Sequence, residues 1–111
     1  MPRRVRRVIW TRVASHDLDE ILTFIATDSP LNARKLLARL RRKADSLATM
    51  ADRGRVVPEL AFFGIRTWRE LLVKPYRLVY RASVEAVYVS AVLDGRRDLQ
   101  DVLLERLTRT G

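Results

Sequence analysis

Hydrophobic and polar positions at the start of the chain change from the period of a strand to that of a helix. Residues 5–10 are mostly β-branched or aromatic, which predicts a strand with Val8 and Trp10 on one face. From residue 14 to about 27, apolar side chains recur three or four positions apart, which predicts a helix with Ser15 as its N-cap. Its apolar positions are Ala14, Leu18, Ile21, Leu22 and Ile25. The acidic residues that suit the positive end of its dipole are Asp17, Asp19 and Glu20.

A second amphipathic helix is predicted after a very short connection. Ser29 can accept hydrogen bonds from the free N–H groups of this helix, and Pro30 fits the first helical position, where no donor is needed. We expect the helix to run from Pro30 to about Met50, with an apolar stripe of Ala33, Leu36, Leu37, Leu40, Ala44 and Leu47. Two helices joined so closely form an antiparallel hairpin, whose apolar stripes need a common surface to cover.

The C-terminal half of the chain has the pattern of a sheet. Gly54 is the predicted turn after the second helix, and Pro58 predicts a short extended segment at 56–60. Three strands follow, at 66–73, 76–81 and 86–93, and their tight connections predict an antiparallel meander. One apolar face of the last strand is expected from Val87, Val89, Ala91 and Leu93. A short helix is expected after Asp98, from the spacing of Leu99, Val102, Leu103 and Leu107.

These elements predict a single α+β domain over residues 1–111. We expect an N-terminal strand, a helical hairpin packed on one face of a twisted antiparallel sheet, and a short C-terminal helix. The chain length of 111 residues agrees, since two independent cores would each lie near the lower size limit for folding.

Composition removes several kinds of chemistry. The chain has no cysteine, which excludes disulfides, thiol nucleophiles and cysteine-ligated metals. Its one histidine, His16, is expected to be a solvated helix residue, and no metal or cofactor is expected. The apolar stretch at 8–10 is too short for a secretory signal or a membrane span. We therefore expect a cytoplasmic protein that does not enter a membrane.

The chain is strongly basic. Its formal net charge is +9, and all but three of its 22 basic residues are arginine. Arginine presents a planar, permanently charged fork that suits carboxylates and phosphates. The charge therefore predicts a polyanionic partner, either nucleic acid or an acidic protein, and composition leaves both open.

Arginines on the predicted strands are the main candidates for a functional site. Arg77 and Arg97 could converge at one edge of the meander, beside the open face of the sheet, with tyrosines on the same strands. Arginines beside aromatic rings can hold phosphates while bases stack. The structural alternative is that the aromatic residues fill the core and the arginines pair with Glu70, Asp94 and Asp98.

Taken in order, these segments resemble the RelE/ParE family of bacterial type II toxin–antitoxin toxins over nearly the whole chain. The matching segments are Ala14…Asp17-Leu18…Ile21…Ile25-Ala26, Asp28-Ser29-Pro30, Gly54-Arg55…Pro58-Glu59-Leu60, Arg69-Glu70-Leu71, Tyr76-Arg77-Leu78-Val79-Tyr80 and Gly95-Arg96-Arg97-Asp98-Leu99. The resemblance implies the α+β fold expected above. It also implies one of two activities, because RelE-like members cut messenger RNA on the ribosome and ParE-like members poison DNA gyrase.

Matched residue by residue, the chain keeps the cations of the nuclease branch and lacks its acid–base groups. Arg77 and Arg97 match its two arginines, whereas Glu70 lies near a position where the nuclease has a lysine. Leu103 takes the place of a C-terminal tyrosine and cannot transfer a proton. A carboxylate in a phosphate site would also repel the substrate. The resemblance therefore favours the ParE-like branch, a toxin that is not an enzyme.

The resemblance also implies a target and an antitoxin partner, and we select candidate contact residues for each. The target would be DNA gyrase, contacted by Arg69, Arg77, Arg96, Arg97 and Trp68. The partner would be a ParD-like antitoxin with a ribbon-helix-helix half and an acidic amphipathic tail, contacted by Leu18, Ile21, Ile25, Arg34 and Arg41. The alternative is a ribosome-dependent mRNA endonuclease, for which the catalytic residues would be Arg77, Arg97 and Tyr80.

Overall fold

A helical hairpin lies against a five-stranded sheet in the computed structural model, which describes residues 5–96 together with Gln100, Val102 and Arg106. The α+β fold expected from the sequence is confirmed. The helices are α1 (Arg12–Asp28), α2 (Pro30–Ser46) and α3 (Pro58–Ala61). The strands are β1 (Arg7–Trp10), β2 (Arg55–Val56), β3 (Arg69–Val73), β4 (Tyr76–Ala82) and β5 (Ala86–Asp94).

The two long helices begin at polar caps, of which the sequence identified one correctly. The Ser29 hydroxyl accepts a hydrogen bond from the Asn32 N–H at 3.1 Å, so α2 begins as predicted. The predicted cap of α1 was wrong: Thr11 Oγ1 accepts from the Ala14 N–H at 3.2 Å, and Ser15 lies inside the helix. Helix α2 ends at Ser46, four residues earlier than expected.

The strands follow the order β1-β5-β4-β3-β2 across the sheet. The pairs β2–β3, β3–β4 and β4–β5 are antiparallel, as the meander predicted. Strand β1 differs, because it pairs parallel with β5 at the edge, with Trp10 opposite Val89. A parallel pair needs a long crossover, and here most of the domain lies between the two strands.

A bulge in β5 divides its apolar residues between the two faces of the sheet. The register between β4 and β5 shifts after Val79, so that Ser90 has no opposite residue. One extra residue reverses the alternation of side chains beyond it. Val87 and Val89 therefore pack towards the helical hairpin, whereas Ala91 and Leu93 pack on the opposite face. The single apolar face predicted for this strand was wrong.

The face of the sheet opposite the hairpin is also covered. Val57, Leu60 and Trp68 pack there against Val79, with Val102 from the C-terminal segment. The segment at 56–60 was expected to be extended, but Pro58 begins α3, where its missing N–H leaves no donor unsatisfied. The expected open sheet face is therefore replaced by a second, smaller core.

Asp17 joins α1 to the sheet and to the C-terminal segment. Its carboxylate is buried, accepts from the Val92 N–H at 3.1 Å, and accepts from Arg106 Nη1 at 2.7 Å. The expected role of Asp17 at the helix dipole was therefore wrong. Gln100, Val102 and Arg106 are helical, in agreement with the C-terminal helix, while Leu103 and Leu107 lie outside the described residues. None of the described helices is long and apolar enough to cross a membrane.

Candidate functional site

Arg77 lies at the centre of a buried ion-pair cluster on the sheet face opposite the hairpin. Its Nη1 and Nη2 atoms donate to the two carboxylate oxygens of Glu59 at 2.5 and 2.6 Å. Its Nε atom donates to Glu70 Oε1 at 2.6 Å. The other oxygen of Glu70 accepts from Arg55 Nε at 2.7 Å. The four side chains thus form a chain of alternating charge that joins β2, α3, β3 and β4.

Burial differs sharply along this cluster. The Glu70 side chain is fully buried, that of Arg77 is 9% exposed, and that of Arg55 is 55% exposed. Ionised groups far from water must be paired, because their desolvation is costly. Arg55 reaches Glu70 from the solvent side, while Arg77 holds it from within the fold. The cluster therefore contains two positive and two negative charges and is neutral as a whole.

The pairing shifts the pKa values of both partners in the bidentate bridge. The hydrogen bonds from Arg77 lower the pKa of Glu59, against the opposing effect of its partial burial. The hydrogen bonds that Arg77 donates to Glu59 are the largest cause that raises the pKa of Arg77. Glu59 and Arg77 are therefore both held in their charged forms, and they form a stable ion pair.

This geometry does not support the expectation that Arg77 offers a free positive charge. Every nitrogen of its guanidinium already donates to a carboxylate, and Glu59 and Glu70 together carry more negative charge than Arg77 carries positive. The structural alternative, in which Arg77 pairs with Glu70, matches the observed contacts and gains Glu59 as a second partner.

Tyr80 is fully buried on the hairpin side of the sheet. Its hydroxyl donates to the Ala51 carbonyl at 2.7 Å and accepts from the Gly54 N–H at 3.0 Å. Burial is the largest cause that raises the pKa of this phenol. A Cβ atom on Gly54 would lie 2.7 Å from the Tyr80 hydroxyl, so glycine is needed there for close approach. This placement does not support the catalytic role expected for Tyr80.

The remaining predicted target contacts are spread over the fold. Arg69 Nη1 donates to the Gly54 carbonyl at 2.7 Å, and its side chain is half-buried. Arg96 is exposed and donates from Nη2 to Asp94 at 2.7 Å. Trp68 belongs to the smaller core, and the Cζ atom of Arg81 lies 5.9 Å from the centre of its ring. Arg97 lies outside the described residues.

The residues expected to contact an antitoxin fall into two groups. Leu18, Ile21 and Ile25 are half-buried, because they pack against the main core. Arg34 and Arg41 are exposed on α2. Sequence reasoning missed the apolar side chains that the hairpin does present to solvent, Phe24 at 75% exposed and Leu31 at 53%. Both are bulky apolar residues that lie outside the predicted apolar stripes. This position in the pattern could have identified them as exposed.

Glu59 is the central residue that sequence reasoning missed as a partner of Arg77. The signal was present, because proline followed by glutamate is typical of a helix N-terminus and would have placed α3 there. The sequence pattern also gave no weight to the exposed pair Phe62 and Phe63, whose ring centres lie 5.2 Å apart. Within the described part of the chain, no group of three or more acidic or histidine side chains could hold a metal ion.

Replacing Arg77 by methionine tests whether the cluster supports the fold. Arg77→Met removes the partner of a buried carboxylate and is expected to lower the free energy of unfolding by about 3 kcal/mol. Adding Glu70→Leu should restore part of the loss, because the double variant no longer buries a poorly paired charge. Urea denaturation of both variants measures this. The exposed Arg96→Met is the matched control and should keep the unfolding midpoint; equal midpoints for Arg77→Met and the parent protein would contradict the assignment.

Acid should weaken the fold through Glu59. Its pKa is lower in the folded state than its ordinary value of 4.5, so its contribution to stability is complete above that pH. The contribution is lost as the pH falls through the folded-state pKa. Chemical denaturation at a series of pH values should therefore show Glu59→Gln less stable than the parent near neutral pH, with the difference shrinking below about pH 4.5. A difference that stays constant down to acid pH would refute the linkage.

Comparison with known proteins agrees with the fold and with the sequence. Residues 8–99 match the family model of the ParE toxin of type II toxin–antitoxin system, parDE. The chain is 35% identical over 92 residues to toxin RelE2 of Caulobacter vibrioides, covering 82% of this chain and 97% of that one. It is 33% identical over 94 residues to toxin ParE3 of the same organism, covering 84% and 90%.

A solved structure from the chromosomal ParDE TA system of P. aeruginosa has the same fold. It superposes with a TM-score of 0.65 at 21% identity, over 80% of this chain and 95% of that one. The match of the family model covers most of the chain, and both Caulobacter relatives exceed 30% identity over more than four-fifths of it. The chain therefore belongs to the ParE toxin family of type II toxin–antitoxin systems.

Proposed function

We propose that this toxin arrests growth in the cytoplasm by inhibiting DNA gyrase, and that a ParD-like antitoxin neutralises it. The observation that carries the choice of target is the state of the Arg77 cluster. Cleavage of RNA through its 2′-hydroxyl needs a base, an acid and a positive charge for the phosphate. Here the arginine is already neutralised by Glu59 and Glu70.

Tyr80 supports the same proposal. Tyr80, the candidate acid, has both hydrogen-bonding positions of its hydroxyl occupied inside the core. Glu70 lies near a position where the nuclease branch has a cation, and here its carboxylate accepts from the guanidinium of Arg77. A gyrase-directed toxin acts by occupying its target, so it needs contacts but no proton transfer. This chain fits that requirement better than it fits a nuclease.

One structural observation supports the nuclease alternative. Tyr76 is half-buried and lines a cleft of about 380 Å³ together with Arg77 and Arg96. A phenol beside two arginines could donate a proton to a leaving oxygen. One of the similar proteins is named a RelE toxin. These points make mRNA cleavage the second candidate.

Two assays with the purified toxin separate the candidates. We expect it to inhibit supercoiling of relaxed plasmid by gyrase and to leave messenger RNA intact on translating ribosomes. Tyr76→Phe distinguishes the two candidates, because it removes only the hydroxyl that a nuclease could use as an acid. It should keep gyrase inhibition within about twofold. Transcripts cut by the parent protein, and spared by Tyr76→Phe, would establish the nuclease activity and refute the proposal.

The hairpin is our proposed antitoxin surface. A chain of net charge +9 attracts an acidic partner, and the exposed Phe24 and Leu31 offer apolar anchors at the connected ends of α1 and α2. Arg34 and Arg41 lie on the exposed side of the neighbouring helix. An acidic amphipathic segment that folds on binding would satisfy both features. The half-buried Leu18, Ile21 and Ile25 would then support this surface from below.

Phe24→Asp tests the surface. It removes an aromatic anchor and adds a charge that repels an acidic segment, so antitoxin affinity should fall at least tenfold in calorimetric titration. Phe62→Asp is the matched control, since Phe62 is equally aromatic and 81% exposed but follows α3. It should bind the antitoxin as the parent protein does. Equal losses for both variants would mean that the hairpin is not the specific surface.

A further inference from the structure

Five basic side chains line one open groove between α2 and the outer edge of β3. The groove has a volume of about 600 Å³, and the basic residues along it are Arg39, Arg42, Lys43, Arg53 and Lys74. Its other lining residues are Leu72 and Val73 from β3. No acidic side chain is among the residues that line it. We refer to it as the basic groove.

The fold brings these cations together from three places. Arg42 and Lys43 lie three and four positions after Arg39 and therefore lie on the same side of α2 as Arg39. Arg53 lies after that helix and is held back towards it, because its Nη1 atom donates to Ser46 Oγ at 2.8 Å. Lys74 follows β3. Strand β2 pairs only with Arg69 and Glu70, so the rest of the β3 edge is open beside the helix.

Ion pairing distinguishes the cations of the basic groove from Arg55, Arg77 and Arg96. Across residues 5–96, none of Arg39, Arg42, Lys43, Arg53 and Lys74 forms an ion pair with a carboxylate of the described chain. By contrast, Arg55, Arg77 and Arg96 are each matched to an acidic residue. Like charges gathered along a low-dielectric wall produce a strong positive potential. An anion with regularly repeated charges would relieve this repulsion.

The lining indicates which polyanion fits. An amphipathic acidic helix needs an apolar stripe to bury, but Leu72 is the exposed large apolar side chain that the basic groove offers, at 44% exposure. Single-stranded nucleic acid is held largely by stacking on aromatic rings, and no aromatic residue lines the groove. A duplex needs neither an apolar stripe nor aromatic rings on the protein, because its bases are already stacked and its phosphates face outward.

We infer that the basic groove binds the phosphodiester backbone of duplex DNA. The choice of DNA over duplex RNA rests on the proposed gyrase target, which works on duplex DNA. Binding through phosphates alone is independent of base sequence and weakens steeply with salt, because each contact releases counterions. The groove would thus hold the toxin against the DNA on which its target acts.

Fluorescence anisotropy with a labelled 20-base-pair DNA duplex of arbitrary sequence tests this, with no gyrase present. The parent toxin should bind, and its affinity should fall steeply between 50 and 200 mM salt. Arg39→Glu/Arg42→Glu should weaken binding at least tenfold and reduce the slope of log affinity against log salt by about 2, since each phosphate contact contributes about 0.9. Lys74→Glu should weaken binding in the same direction from the strand side.

The matched control is Arg34→Glu/Arg41→Glu, which changes the net charge equally on the same helix outside the groove. It should keep DNA affinity within about threefold, and circular dichroism melting should confirm that all variants fold. Equal losses for the two double variants would overturn the inference, as would no DNA binding by the parent. Tighter binding of a duplex RNA of the same length would overturn the choice of DNA, and tighter binding of a poly-glutamate peptide would indicate an acidic protein instead.

The result is separable from the proposed function. Gyrase inhibition with no DNA binding would refute the inference that the basic groove binds DNA, and it would leave the proposed gyrase target unchanged. DNA binding that is lost in Arg39→Glu/Arg42→Glu, combined with uninhibited gyrase, would support the basic groove and refute the target.

Discussion

A buried guanidinium that bridges two carboxylates organises the face of the sheet away from the hairpin. Arg77 reaches Glu70 on the adjacent strand and Glu59 on α3, so one side chain fixes a short helix against the sheet. Helix α3 has only four residues and could not hold its position by its own backbone hydrogen bonds. Its apolar contact through Leu60 and its ionic contact through Glu59 act together. The smaller core depends on both.

This arrangement also determines what the site can do chemically. A site that cleaves RNA needs a positive charge for the phosphate. In this chain that charge is used to stabilise the fold, and Tyr80 on the other face is used to hold the loop that contains Ala51 and Gly54. Arg77 and Tyr80, which the nuclease alternative would use as catalytic residues, both form contacts inside the fold. The basic groove, along α2 and the free edge of β3, presents cations that form no ion pair within the described residues.

Local signals in the sequence were sufficient for most of the fold. The pair Ser29 and Pro30 specified the hairpin connection, because both the hydroxyl and the missing N–H act within one helical turn. Periodicity alone located β4 and β5, since their alternation is regular on either side of Ser90. The predictions that failed have two causes. The cap of α1 and the start of α3 depend on local signals that were misassigned, whereas the bulge in β5 depends on contacts distant in sequence. The bulge at Ser90 becomes visible only from the register with β4.

The functional surface was less predictable for the same reason. Arg77 and Glu59 are 18 positions apart, and their pairing requires α3 to fold back over the sheet. Asp17 and Arg106 are 89 positions apart, so the acidic first turns of α1 suggested a local role instead. The basic groove combines a helix, a loop and a strand edge. Charge composition indicated a polyanionic partner, but only the tertiary structure shows which cations lack a partner of their own.

The parallel pairing of β1 with β5 has a consequence for synthesis of the chain. β1 is made first and its partner strand last, with Arg7 opposite Ala86. During translation the N-terminal strand therefore leaves the ribosome long before the edge on which it will pair exists. The sheet closes only after β5 has emerged, so a nascent chain stalled before β5 cannot complete the native domain.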